Sequence, residues 1–187
     1  ELYGVYRALA WIDYLLDPLR FGLDSLLLLN LSERRGIPPG LAIGSAGVGV
    51  VFAFVPLERP ARRYRRRSLE LAGQLGNPSV MGDVLFCAAL GEHVRGHWSS
   101  AIDDWTEAAR LFWDAGGLRG WGTSGTMRAY VLLQEGRLDE CLGVCDEIEK
   151  VAKDASDPLL LAYALHTRGV VLLRRGVFGA ALELCRE

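Results

Sequence analysis

Apolar residues recur along most of the chain at spacings that suit one face of a helix. The run Val131–Leu133 and, further on, the set Ile148, Val151 and Ala152 are compatible with this period. Almost no segment resembles a strand, apart from the Val-rich middle of residues 41–57. The pattern therefore predicts an all-α protein.

The helical pattern itself repeats every forty residues along the sequence. The columns that recur at this interval are Gly96, Gly136 and Gly176; Trp98, Leu138 and Phe178; Ala101, Cys141 and Ala181; Trp105, Cys145 and Cys185; Ala89, Ala129 and Gly169; and, at another phase, Gly36, Gly76 and Gly116, with Pro38, Pro78 and Pro158 (Leu118 being the exception). Agreement in so many columns at one interval indicates an internal repeat.

Each column has a structural explanation within a pair of helices. Gly96, Gly136 and Gly176 end apolar runs, as the glycine after a helix C-terminus does. A second helix begins after a two-residue turn, and Gly36 and Gly76 close it. The proline column lies where the first turn of the following helix tolerates proline. One repeat is therefore helix A, a tight turn, helix B and a short loop. Repeats are expected over residues 1–37, 38–77, 78–117, 118–157 and, truncated, 158–187.

Small residues are expected where the two helices of a pair meet, because small side chains let helices approach closely. The expected facing columns are Ala89, Ala129 and Gly169 in the A helices and Ala101, Cys141 and Ala181 in the B helices. Large side chains then fill the space between pairs; they are Trp98, Trp105, Phe112 and Phe178.

Two segments carry a family resemblance. Residues 96–102 (GHWSSAI) and 176–182 (GVFGAAL) resemble the Gly-x-aromatic-x-x-Ala-hydrophobic core of the tetratricopeptide repeat, and Trp105 and Ala108 continue the match. The usual unit of that family has about 34 residues, so helices or loops are expected to be longer here. The resemblance implies a right-handed α-solenoid of helix-turn-helix repeats.

A closer resemblance is to the tetratricopeptide-like region of large bacterial multidomain signalling proteins. Residues 29–42 (LNLSERRGIPPGLA) resemble a linker between its early repeats, and residues 96–101 and 116–121 resemble later ones. In that family a protein kinase or AAA-type ATPase precedes the repeats, and a cyclase or histidine kinase often follows. The resemblance implies a non-catalytic scaffold for protein–protein or interdomain interaction.

The binding surface of such a scaffold is a concave groove lined by exposed positions of the A helices. By register these positions are Phe86, Leu90, His93, Thr126, Tyr130, His166 and Arg174. The expected partners are a protein, a peptide or another domain of the same chain. No cofactor is expected.

Composition narrows the function classes further. The net charge of −2 gives no general attraction to nucleic acid or anionic lipid. Four cysteines without zinc-ligand spacing suggest reduced thiols in a cytoplasmic protein. The chain opens without Met and stops inside a helical pattern, which suggests a piece of a longer polypeptide with apolar ends that self-associate. A repeat region of a transcriptional regulator fits the same features.

Residues 41–57 carry no charge and are followed by arginines, which allows a short membrane-inserted helix. The favoured alternative is a buried helix A of the second repeat, because its small residues make it only mildly apolar. Its glycines do not form a nucleotide site, since Val50 and Val51 stand where a phosphate loop needs Lys and Ser or Thr.

A cluster of arginines follows that segment. The basic patch that we single out comprises Arg62, Arg63, Arg65, Arg66 and Arg67. On a helix these side chains spread around much of the circumference, so a solvated or intramolecularly paired face is favoured. An acidic protein surface is the next interpretation, ahead of nucleic acid.

The remaining candidates for chemistry are weak. His93 and His97 are four apart, but Val94 stands where a zinc-protease helix has its glutamate. Cys141 and Cys145 share a helical face and are interpreted as core residues. No arrangement of a nucleophile with a base is recognisable, so the sequence predicts that this segment is not an enzyme.

Overall fold

A computed structural model describes the backbone of residues 2–184, with the side chains at positions 2, 3, 11 and 15 excepted. This part of the chain is all-helical, as predicted, and contains no strand. Its helices are α1 (Leu2–Leu16), α2 (Pro18–Arg35), α3 (Pro38–Phe54), α4 (Glu58–Leu75), α5 (Pro78–Val94), α6 (Trp98–Asp114), α7 (Leu118–Gln134), α8 (Leu138–Asp154), α9 (Pro158–Arg174) and α10 (Phe178–Leu184). Cys185 and the end of the fifth expected repeat lie outside the described residues.

The helix starts have local causes in the sequence. Pro38, Pro78 and Pro158 are the first residues of α3, α5 and α9, where the missing N–H costs no helical hydrogen bond. The side chains of Asn77 and Asp157 each accept hydrogen bonds from two backbone N–H groups of the following turn. Prolines therefore place these three starts, in agreement with the proline column, and polar caps support those of α5 and α9.

Most of the helices are followed by a residue whose backbone has a left-handed conformation, with positive φ. Gly136, for example, has φ +76° and donates its N–H to the Leu133 carbonyl, while Arg137 N–H reaches the Leu132 carbonyl at 2.9 Å. This is the Schellman arrangement, which satisfies the last carbonyls of a helix. Glycines with the same sign of φ follow five other helices; they are Gly36, Gly76, Gly96, Gly116 and Gly176. After α8 a non-glycine residue, Ser156, takes this role at φ +53°.

The helices pack in two rows. Each described helix contacts the next one along the chain, and α1, α3, α5, α7 and α9 also contact one another in that order. Among the described helices, the even-numbered ones make no close backbone contact with each other and are linked only through long side chains. The odd-numbered helices therefore form an inner row, which an outer row of even-numbered helices supports.

The core lies between these rows. Ala89, Ala101, Ala129 and Cys141 belong to one buried cluster, as expected for columns of small residues at helix contacts. Trp105 is fully buried in the same cluster and packs beside Phe86. The small columns are therefore core positions in the middle repeats, whereas Gly169, the last member of the A-helix column, is only half-buried.

Residues 41–57 form most of α3 and the turn after it, and every residue from Ala42 to Val50 is buried. The interpretation as a buried helix is confirmed. A Cβ on Gly44 would lie 2.9 Å from the backbone of Leu29, and one on Gly47 would lie 2.4 Å from the Ser25 Oγ. The glycines thus let α2 and α3 approach closely. In the described part of the chain, no helix is long and apolar enough to cross a membrane.

Candidate functional site

A cavity of about 740 Å³ is lined by residues of α1, α2, α3 and α5, the end of α6 and the start of α7. Four aromatic side chains contribute to its wall: Tyr14, Phe21, Phe86 and Phe112. Its volume falls in the range of pockets that bind small ligands or the anchoring side chains of a partner. This cavity is the candidate functional site.

Two of the expected groove residues, Phe86 and Leu90, line this cavity, but each is only 2% exposed. A third, Thr126, is 4% exposed and donates its hydroxyl to the Gly122 carbonyl of its own helix. The expectation that these three residues are exposed was therefore wrong. The side chains of these three residues lie in contacts between helices, and the ring of Tyr14 on α1 packs edge-on against that of Phe86.

The other four expected groove residues connect the inner helices. The His93 Nε2 lies 3.0 Å from the Gln134 Oε1, which links α5 to α7. The Tyr130 hydroxyl lies 3.2 Å from the His166 Nδ1, which links α7 to α9. Arg174 of α9 donates a hydrogen bond to a carbonyl of α7. These polar residues form a row across three helices, and none of them lines the cavity.

An ion pair stands on each of two sides of the cavity. Arg7 of α1 lies 2.7 Å from the carboxylate of Asp83 on α5, and Arg119 of α7 lies 3.4 Å from Asp157 at the start of α9. Burial raises the pKa of Asp83, although Arg7 opposes this shift. Hydrogen bonds from the backbone N–H of Leu160 lower the pKa of Asp157. The cavity is thus apolar in its wall and charged at two edges.

The hydroxyl of Tyr14 is held in its neutral form at this site. Burial raises the pKa of Tyr14 to about 12. The Tyr14 ring meets Phe21 edge-on at 5.7 Å and Phe86 edge-on at 6.4 Å between ring centroids. Such edge-to-face contacts add to the energy of apolar burial. Tyr14 therefore acts as an aromatic anchor of α1.

Four arginines of the basic patch make ion pairs within the chain. Arg62 pairs with Glu58 and Arg66 with Glu70, both within α4. Arg67 reaches Glu33 on α2 at 3.0 Å, and Arg65 reaches acidic residues of α5 and α6. Arg63 is exposed and has no ion pair within the described residues. Arg65 and Arg67 therefore link α4 to neighbouring helices.

A partly buried charge cluster joins α4, α5 and α6. Its centre is Glu92, whose carboxylate lies 2.5 Å from Arg95, 2.7 Å from the His97 Nδ1 and 3.4 Å from Arg65. Arg65 also reaches Asp104 at 3.0 Å. His97 therefore binds a carboxylate in this structure. The sequence contained no signal for this cluster beyond the neighbouring charges at positions 92, 95 and 97.

Cys141 and Cys145 are both buried in the core, which confirms that they pack there. Burial raises the pKa of the Cys87 thiol to about 12. Within the described residues, no group of three or more His, Cys, Asp or Glu side chains is arranged to hold a metal ion.

Sequence reasoning missed the residues of α1 that face the cavity. Arg7, Ala10 and Tyr14 are spaced by three and then four residues, which is the signal that one helix face carries all three. Their partners on α5, namely Asp83 and Phe86, follow the same kind of spacing. The pairing of the two faces depends on how α1 crosses α5.

Comparison with models of known protein families finds no match for this chain. Comparison with curated protein sequences finds no significant match either.

Proposed function

We infer that the chain is a non-catalytic interaction module, built as a right-handed α-solenoid of tetratricopeptide-like repeats with a period of forty residues. The helix bounds support this proposal: α3, α5, α7 and α9 begin at residues 38, 78, 118 and 158, and α4, α6, α8 and α10 begin at 58, 98, 138 and 178. The same Schellman arrangement of hydrogen bonds recurs after α5, α6, α7 and α9. Such arrays present an extended inner surface for binding.

The observation that carries the functional proposal is the cavity on the inner row of helices. Its aromatic wall suits the apolar side chains of a helix or peptide, and its charged edges suit polar residues beside them. The bound segment belongs to a protein partner or to another domain of the same chain. Helix-in-groove recognition uses this combination of apolar anchors and flanking charges.

The wider setting is also a proposal, and it rests on the resemblance. The module is the repeat segment of a cytoplasmic bacterial signalling protein whose other domains carry kinase, ATPase or cyclase activity. The burial of α3 argues against the membrane-inserted alternative. Both arginines that line the cavity in the described part of the chain are paired with carboxylates, which argues against nucleic acid as its ligand.

Selection from a phage-displayed library of helical peptides tests the proposal. The selected peptides are measured against the unchanged chain and the variant Leu118→Glu, which places a carboxylate at the cavity wall. Binding is expected to weaken by about tenfold or more, since a buried apolar contact is replaced by a charge. Leu159→Glu, at an exposed position outside the cavity lining, is the matched control and is expected to bind normally.

Thermal melting of both variants accompanies the binding measurement. Equal binding to the unchanged chain and to Leu118→Glu, with both variants folded, contradicts the assignment of the cavity as the site. A selection that yields no binding peptide contradicts the proposed function itself.

A further inference from the structure

We propose that a crevice between α6, α7 and α8 binds a small carboxylate anion, which Arg128 of α7 holds. The crevice has a volume of about 160 Å³ and shares no lining residue with the cavity of the candidate functional site. The inference is therefore independent of the proposed peptide site. It adds a small-molecule ligand to the module.

Arg128 has a counterpart in the next pair of helices. Arg128 and Arg168 occupy the same position in α7 and α9, which begin at residues 118 and 158. Their side chains are 25% and 24% exposed, so both guanidinium groups are largely withdrawn from water. A cation in such a place requires a compensating anion.

Arg168 receives two carboxylates from the helix before it. Its Nη2 lies 2.6 Å from an oxygen of Asp146 and 2.6 Å from an oxygen of Glu149, both on α8. Charge-assisted hydrogen bonds of this kind are the strong ones in proteins. The contact between α8 and α9 thus contains its own anions.

The contact between α6 and α7 lacks both of these carboxylates. Thr106 and Ala109 of α6 stand forty positions before the two acidic residues of α8. Both line the crevice, and so does Arg128. The Thr106 hydroxyl lies 3.4 Å from the Arg128 Nη1 and carries no charge. The crevice therefore lies where the next pair of helices has its anions.

Glu147 of α8 compensates Arg128 only weakly. Its carboxylate lies 4.0 Å from the Arg128 Nη2, which is much longer than the 2.6 Å contacts in the next pair of helices. Glu147 also lines the crevice, but 59% of its side chain is exposed, so water screens much of its repulsion of an anion. Arg110, which pairs with Glu107 and Asp114 along α6, adds a second guanidinium to the wall.

An unpartnered hydrogen-bond donor belongs to the same wall. Trp105 of α6 lines the crevice and is fully buried, and within the described residues its indole N–H has no acceptor. A buried polar group without a partner calls for an explanation such as a bound water or ion. Donors are thus in excess around the crevice, which favours an anion as its ligand.

The volume of the crevice sets the size of the ligand. It is well below the range of about 300–1,000 Å³ that is typical of pockets for drug-sized molecules. It is also well above the roughly 10–15 Å³ that a single water needs. A carboxylate with few heavy atoms, such as succinate, fits between these limits.

Isothermal titration calorimetry of the full chain of residues 1–187 with sodium succinate tests the proposal, while sodium chloride keeps the ionic strength constant. Succinate is expected to bind the unchanged chain, and Arg128→Gln is expected to weaken this binding by about tenfold or more, since a hydrogen bond to a charged group is lost. Ala109→Glu supplies the carboxylate that α8 has at Glu149 and is expected to abolish binding. Arg63→Gln, at an exposed arginine outside the crevice, is the matched control and is expected to bind normally.

Absence of binding to the unchanged chain overturns the inference, and so does equal affinity for the unchanged chain and Arg128→Gln. Binding that persists in folded Ala109→Glu also overturns it. A titration with sodium sulfate that matches the succinate titration overturns the assignment of a carboxylate. If neither variant folds, nuclear magnetic resonance of the unchanged chain decides: succinate must shift the signal of the Trp105 indole N–H. An unshifted signal at saturation overturns the inference.

Discussion

The Arg174 guanidinium on α9 donates a 2.7 Å hydrogen bond to the carbonyl oxygen of Leu133 on α7. On the other side of α7, Gln134 lies 3.0 Å from His93 of α5. The end of α7 is therefore tied to both neighbouring inner helices by polar contacts. These contacts join α5, α7 and α9, so residues that the sequence predicts to form a binding surface also have a structural role.

Arg174→Ala is expected to lower the free energy of unfolding by about 1 kcal/mol, because one charge-assisted hydrogen bond between helices is lost. Urea unfolding followed by circular dichroism measures this change. Arg63→Ala, at an exposed arginine without an ion pair in the described part of the chain, is expected to leave the midpoint unchanged. Identical midpoints for the two variants would show that the α7–α9 contact adds nothing to stability.

Glu92→Gln is expected to destabilise the fold by about 2 kcal/mol, because Arg95 and Arg65 lose a charged partner in a largely buried place. Chemical denaturation at pH 7 gives the value. Glu107→Gln is the control, since Glu107 also pairs with an arginine but is exposed, where ion pairs contribute little. A loss in the control as large as that in Glu92→Gln would refute a special role for burial.

Ser156→Gly is expected to stabilise the fold by about 1 kcal/mol, because Ser156 holds a left-handed backbone that glycine adopts without strain. Gly136→Ala is expected to destabilise the fold, because Gly136 has a φ of +76°, which strains an alanine. No atom lies within 4 Å of the added Cβ, so a steric clash does not contribute to this loss. Gly143→Ala, inside α8 and equally unobstructed, is expected to stabilise. Thermal unfolding of the three variants tests the signs, and a stabilised Gly136→Ala would contradict the strain argument.

Asp157→Ala is expected to cost about 1 kcal/mol at pH 7, since the side chain caps the first turn of α9. Because the folded pKa of Asp157 is lowered, this stabilisation is complete above the unfolded pKa of about 3.9 and is lost as the pH falls through the folded value. The difference from the unchanged chain therefore shrinks in acid. Asp157→Asn keeps a capping oxygen without titrating, so its stability relative to Asp157→Ala is expected not to vary with pH.

The local features of the fold were predictable from the sequence because local rules produce them. Pro78 and Pro158 start helices, and Gly96 and Gly136 follow helix ends, each through the conformation of its own backbone. The burial of α3 was also predictable, since a mildly apolar run rich in small residues suits a close helix contact.

The candidate site was less predictable because it depends on contacts distant in sequence. The sequence predicts the helix of Phe86 and Leu90 correctly but assigns them to an exposed face. Both are buried, and Phe86 packs beside Tyr14 of α1 and Trp105 of α6. The pairing of Arg67 with Glu33 likewise depends on how α4 lies against α2. Spacing along one helix gives no information on such crossings.

The side-chain contacts between α1 and α5 also affect the order in which the chain folds during synthesis. Nearly all helix contacts join elements that are adjacent or next but one in the chain, so most of them form as soon as the following pair leaves the ribosome. Arg7 and Tyr14 must wait for Asp83 and Phe86, which are made two helix pairs later. Until then the basic and aromatic face of α1 stays open to any other helix made nearby.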